Sequence, residues 1–214
     1  MKTENTVVSQ INIGDPAPKF IVDFVRMNPN IKSLFFAIYS PLPGVDERLG
    51  DVHEKSAAEL VSDCLLHDNY NNKHWQVSTT DLTSEAIIKQ AEELPSHLAL
   101  GLESRCIDQD AAKKQIPMMD FSLERSPSNL DLLKDFFERL AYKGILVDSG
   151  NSYHFYGFQP LEQAAWVEFM GQCLLIPWSD TRWIGHSLIA GTGNLRISAT
   201  KLKPTVPTVC ELVI

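Results

Sequence analysis

The chain has 214 residues, 44% of them hydrophobic and 21% charged. That balance is ordinary for a folded protein and excludes collagen-like, low-complexity and wholly disordered classes. Nineteen Lys and Arg against 27 Asp and Glu give a net charge of −8, which argues against a polycation that coats nucleic acid. The charge is uneven. Residues 181–214 carry Arg182, Arg196, Lys201 and Lys203 against Glu211 alone, so the C-terminal end suits an anionic ligand better than the acidic remainder.

A chain of this length buries about 70% of its unfolded surface and needs no covalent staple. Its four cysteines, Cys64, Cys106, Cys173 and Cys210, are far apart and form no CxxC. They read as buried free thiols, not as a zinc site or a disulfide framework. The N-terminus lacks an apolar secretory core, and no apolar run approaches the ~20 residues of a membrane span. A cytoplasmic location is the expectation, with no membrane partner.

Lys32–Tyr39 reads as a buried strand closed by Ser40-Pro41-Leu42-Pro43-Gly44. Glu54–Leu66 carries Ala57, Leu60, Val61, Cys64 and Leu65 at helical spacing. A short strand is expected near Trp75–Ser78, a helix over Leu82–Leu94 stopped by Pro95, and a strand over His97–Leu102. Ile116–Leu123 reads as a strand. Ser126 caps the next helix, whose apolar face is Leu130, Leu133, Phe137 and Leu140 and whose end is set by Gly144. Strands over Ile145–Asp148 and Tyr153–Phe158 flank the turn Ser149-Gly150-Asn151, and a helix follows over Leu161–Leu174. After Trp178 the pattern gives a loop, a strand around Asn194–Ser198 and a Pro-punctuated tail. Helices alternating with hairpins indicate an α+β fold with helices packed on a mixed or antiparallel sheet. Residues 1–115 form an N-terminal α/β lobe and 116–214 a second lobe, together one compact unit.

Two tempting motifs fail. GHSLI at Gly185–Ile189 lacks the closing glycine of a nucleophile elbow, and GTGNLR at Gly191–Arg196 lacks the third glycine of a dinucleotide fingerprint. Three other segments carry chemistry together. MMDFS places Asp120 at the end of an apolar strand, where an isolated charge is costly without a partner. DSGNSYHFYG sets Ser152 and His154 two residues apart, on one face of a strand beside a tight turn. SDTRW puts Asp180 after a helix end with Arg182 two residues on.

In this order the three segments resemble the archaeo-eukaryotic primase superfamily, the primase-polymerases. Its motifs are hydrophobic-Asp-x-Asp, small-x-His and a hydrophobic segment ending in Asp; MMDFS, SYH and PWSD stand in their places. The nearest likeness is to small bacterial primase-like proteins in which an Asp-x-Arg-Trp segment follows the S-x-H strand. The resemblance spans about Ile116–Ser198. It implies an RRM-like catalytic lobe and template-directed nucleotidyl transfer with magnesium or manganese; the chain itself carries no zinc module. Asp120 and Asp180 would be the catalytic, metal-binding acids. Ser152, His154, Arg182 and Arg196 would hold the phosphates of a nucleotide or nucleic acid. Ser122 stands where the first motif places its second aspartate, and Glu124 is two residues further on, about 6–7 Å along a strand. A protein that keeps the phosphate seat without the transfer chemistry is therefore as well supported as an active enzyme, and an active one would need partner proteins. The alternative is a non-enzymatic interaction protein that uses the acidic surface and the Pro-rich segment Lys203–Pro207.

Overall fold

The computed structural model describes residues 11–40, 55–60 and 73–214. The helix expected over Glu54–Leu66 falls largely outside them. In chain order the described elements are α1 (Ala17–Met27), β1 (Ile31–Tyr39), β2 (Lys73–Ser78), α2 (Ser84–Glu92), β3 (Ala99–Asp108), β4 (Lys113–Gln115) and β5 (Met118–Asp120). There follow α3 (Pro127–Arg139), β6 (Gly144–Asp148), β7 (Tyr153–Gly157), α4 (Gln163–Leu174), α5 (Thr181–Ala190), β8 (Asn194–Arg196) and β9 (Thr208–Val213).

The strands form two antiparallel sheets. The first runs β2-β1-β3-β4, with β8 also pairing with β3; the second runs β5-β7-β6-β9. The architecture is α+β. Strand β8 comes from the C-terminal half yet joins the first sheet, so the two sheets share chain.

The second sheet is covered on both faces, which explains why its strands are almost continuously apolar. Alternate residues face opposite ways. Met118, Ile145, Val147 and Tyr156 face α1 and the first sheet, packing with Phe20, Phe24, Leu102 and Leu195. Met119, Leu146, Tyr153, Phe155 and Val213 face α3 and α4, against Phe137, Trp166, Phe169 and Met170. The rings of Phe137 and Phe155 stack with centroids 3.6 Å apart.

Local chemistry sets the helix ends. The Thr83 hydroxyl accepts from the Ala86 N–H at 3.1 Å and the Ser126 hydroxyl from the Asn129 N–H at 3.1 Å, each relieving an orphan donor. Helix α3 ends earlier than Gly144 suggests. Ala141 adopts a left-handed φ of 56°, and Gly144 instead opens β6. The loop expected after Trp178 contains α5, which Asp180 caps and Gly191 closes at φ 71°. The Pro-punctuated tail is likewise part of the fold. Pro207 is buried and its carbonyl accepts from the Ala17 N–H at 2.8 Å. Beyond it β9 forms an edge of the second sheet. Among the described residues no helix is long and apolar enough to cross a membrane.

Candidate functional site

Strand register builds the site. Asp120 lies opposite His154 on β5 and β7. In each strand it is the next core-facing neighbour of a residue pointing at the first sheet, Met118 and Tyr156 respectively, so Asp120 and His154 point there too. Their side chains meet at 3.6 Å between Asp120 Oδ1 and His154 Nε2, an electrostatic contact longer than a hydrogen bond. His154 is buried, whereas the Asp120 carboxylate is 29% exposed. Solvent therefore reaches the pair from the carboxylate side.

Asp180 arrives from the next crossing of the chain. Phe121 and Ser179 form an isolated antiparallel bridge, and the Asp180 N–H donates to the Asp120 carbonyl at 3.0 Å. This brings together the two acids that lie 60 residues apart in the sequence. The Asp180 carboxylate caps α5: its Oδ1 accepts from the Trp183 N–H at 2.9 Å.

Arg196 enters from the first sheet, where β8 pairs it with Gly101. It is buried, and its guanidinium is committed to backbone. Its terminal nitrogens donate to the carbonyls of Ser198, of Thr205 at 2.7 Å and of Ser149. These bonds tie the β6–β7 turn to the segment before β9. The turn itself needs glycine. Gly150 has φ 110°, and a Cβ there would lie 2.7 Å from the Thr205 hydroxyl.

Ser152 sits one residue before β7, half-buried, and its hydroxyl donates to the Phe121 carbonyl. That hydrogen is spent on holding the turn against β5, while the oxygen lone pairs remain. Arg182 is exposed on the first turn of α5. Ser122 and Glu124 lie beyond the end of β5, both exposed, with the Ser122 N–H on the Trp178 carbonyl at 2.8 Å.

The electrostatics follow from burial at this seam. Desolvation, then the charge of Asp180, raises the Asp120 carboxyl to about 7, against the pull of Lys203 and Arg196. Desolvation, followed by the charges of Arg196 and Lys203, drives the His154 imidazole well below its usual range, so it is neutral. Burial raises the Tyr156 phenol well above its ordinary value, with Tyr39 and Asp120 adding to the effect. Among the described residues, three buried polar atoms here have no hydrogen-bond partner: His154 Nδ1, Tyr156 Oη and Arg196 Nε. Such orphans are costly and mark a place where an oxygen ligand or water belongs.

The sequence reasoning missed Tyr39 and Tyr156, and it placed Lys203 only in the basic C-terminal end, not beside Asp120 and His154. Lys203 is exposed, on a turn closed by the Thr200 N–H to the Lys203 carbonyl at 2.8 Å and by the Lys203 N–H to the Thr200 hydroxyl at 3.0 Å. The alternation in YHFYG would have placed Tyr156 on the face of His154, and the basic bias of residues 181–214 includes Lys203; nothing in the sequence points to Tyr39.

Two hard cations need several carboxylate oxygens. Here Asp120 and Asp180 are the two acids the seam offers, one Asp180 oxygen caps α5, and Ser122 and Glu124 lie exposed beyond the end of β5. Among the described residues no three His, Cys, Asp or Glu side chains form a group that could hold a metal ion. Among the described residues, two acids are fewer carboxylates than a two-metal centre needs.

A family model described as AEP-like, archaeo-eukaryotic primase 1D-like, matches residues 78–208. That span holds all six expected site residues and most of both sheets. No curated protein matches the chain, and no solved structure does.

Proposed function

The chain belongs to the archaeo-eukaryotic primase 1D-like family, and on that premise we propose that it binds the phosphates of a nucleotide or of nucleic acid in the seam between its two sheets, at a primase-like site without the two-metal centre of nucleotidyl transfer. The observation that carries this reading is the convergence on one seam of three unpartnered buried polar atoms, His154 Nδ1, Tyr156 Oη and Arg196 Nε, beside Asp120.

The chemistry is that of an oxyanion seat. The Tyr156 phenol and Arg196 Nε can only gain by donating to an oxygen, and a neutral imidazole donates from whichever nitrogen carries the proton. A protonated Asp120 presents no charge to repel a phosphate and adds a donor of its own. Lys203, exposed, supplies positive charge at the margin, and Arg182 stands exposed on the first turn of α5. Asp180 acts by capping α5 and by adding its charge to the burial that raises the proton affinity of Asp120. Magnesium or manganese enters only as the counterion that a triphosphate carries with it.

Thermal unfolding of the full chain with a nucleoside triphosphate, with and without manganese, tests this. Ligand at 100 times Kd stabilises the native state by about 2.7 kcal/mol. The expected result is a rise in Tm that does not require manganese. A rise only with manganese would restore the two-metal reading. No rise under either condition would leave a protein-interaction role on a primase-like scaffold.

A further inference from the structure

The first sheet carries a second cluster of charged side chains, away from the seam. Its centre is Glu103 on β3, a carboxylate 1% exposed. A buried charge of this kind persists only when it is paired on all sides, and both oxygens are taken. Oε1 meets Nδ1 of His74 on β2, and Oε2 accepts from Nε of Arg105 at 2.9 Å, with a terminal nitrogen of Arg105 at 2.8 Å.

The buried acid thereby fixes two outward-facing groups. The His74 side chain is 46% exposed, with Nδ1 held by the carboxylate and Nε2 turned away from it. The guanidinium of Arg105 is spread over the ring of Phe35, 4.3 Å from its centroid, and its side chain is 33% exposed. One face of the guanidinium plane rests on an aromatic ring, and a second planar ring can stack on the other. Nε2 of His74 and the second terminal nitrogen of Arg105 are not used by Glu103, and they are the groups an anion beside that ring would meet.

The spot is distinct from the seam. Register places Arg196, Gly101, Ala37 and His74 in one row across four strands. Three strand spacings separate the ends of that row, roughly 14 Å. A phosphate at His74 cannot also touch Arg196.

We propose that Phe35, His74 and Arg105, held by Glu103, form a second binding site for a planar base carrying a phosphate, with the base stacked on Arg105 and the phosphate at His74. The chemistry is shared by a free nucleotide and by one unit of a single strand. The site stands on its own geometry and does not require the seam to bind anything.

Isothermal titration of the full chain tests it, with adenosine monophosphate in one arm and a short single-stranded oligonucleotide in the other. The double variant His74→Ala/Arg105→Lys keeps a cation against Glu103 and removes the stack. With the seam site intact, wild type shows two monophosphate sites and the variant one, the lost site weakened at least about tenfold. A single wild-type site that the variant abolishes supports this proposal and overturns the seam. Oligonucleotide binding that the variant abolishes, with no monophosphate binding, assigns the site to a strand. Unchanged stoichiometry and affinity in both arms overturn it. Should the double variant fold poorly, the exposed single change His74→Gln carries the same comparison, with the same outcomes.

Discussion

Replacing Asp120 by Asn removes a proton-binding group that the fold holds at about 7 in place of 3.8. The native state then binds the Asp120 proton more tightly than the unfolded chain. Its contribution to stability is complete below pH ~4 and is lost as pH rises to about 7. At 1.36 kcal/mol per pH unit the loss amounts to about 4 kcal/mol. The 29% exposure of the side chain lets water screen the charge, so this is a ceiling. His154 acts in the opposite sense. Its depressed proton affinity costs stability as pH falls below 6.5, so wild type alone shows a flattened profile. The difference between wild type and Asp120→Asn, measured by urea unfolding from pH 5 to pH 8.5, isolates the acid. The variant is expected to gain on wild type steadily up to pH 7 and then hold a constant advantage of a few kcal/mol. Parallel profiles would refute the reasoning, because they would mean that Asp120 ionises as freely in the fold as in the open chain.

Metal-free phosphate binding by wild type should weaken from pH 6 to pH 8 as Asp120 ionises, and should lose that dependence in Asp120→Asn; titration calorimetry reads both. Asp180→Ala removes a helix cap at a cost of about 0.5–2 kcal/mol, and also removes a like charge, so the Asp120 carboxyl titrates lower by NMR. Arg196→Lys leaves the carbonyls of Ser149, Ser198 and Thr205 with at most part of their donors, and should cost about 2–4 kcal/mol in chemical denaturation. Phe137→Ala opens a cavity beneath Phe155 and Phe169 and should cost about 3–5 kcal/mol.

The elements with strong periodicity were legible in the sequence. β1, β2, β6, β7, α2, α3 and α4 stand close to where apolar runs, helical spacing and caps put them, because each helix has one clear apolar face and β6 and β7 are almost continuously apolar. The segment of α5 carries the signals of a loop: Thr181–Ala190 contains Gly185, and its capping signal Ser179-Asp180-Thr181 is also good turn chemistry. β9 was read as a tail because Pro204 and Pro207 suggest a break, whereas Pro207 lies just outside the strand, where its missing N–H costs nothing. The meeting of Asp120 with His154 and with the backbone of Asp180 followed the motif order. The commitment of Arg196 to three carbonyls did not, since it depends on long-range contacts between loops. The Glu103 cluster was equally hidden. Its three partners come from strands up to about 70 residues apart, and no spacing in the chain announces them.

The most direct test of the seam follows the imidazole of His154 by NMR while a nucleoside triphosphate is added to the full chain at pH 6.5 without divalent metal. An oxygen ligand in the seam gives Nδ1 its missing partner, so the ring nitrogens and carbons of His154 shift and saturate with the added nucleotide, while the Asp120 carboxyl moves in step. Saturable binding that leaves both residues unmoved, or no binding at all, would contradict the assignment of the phosphate to this place.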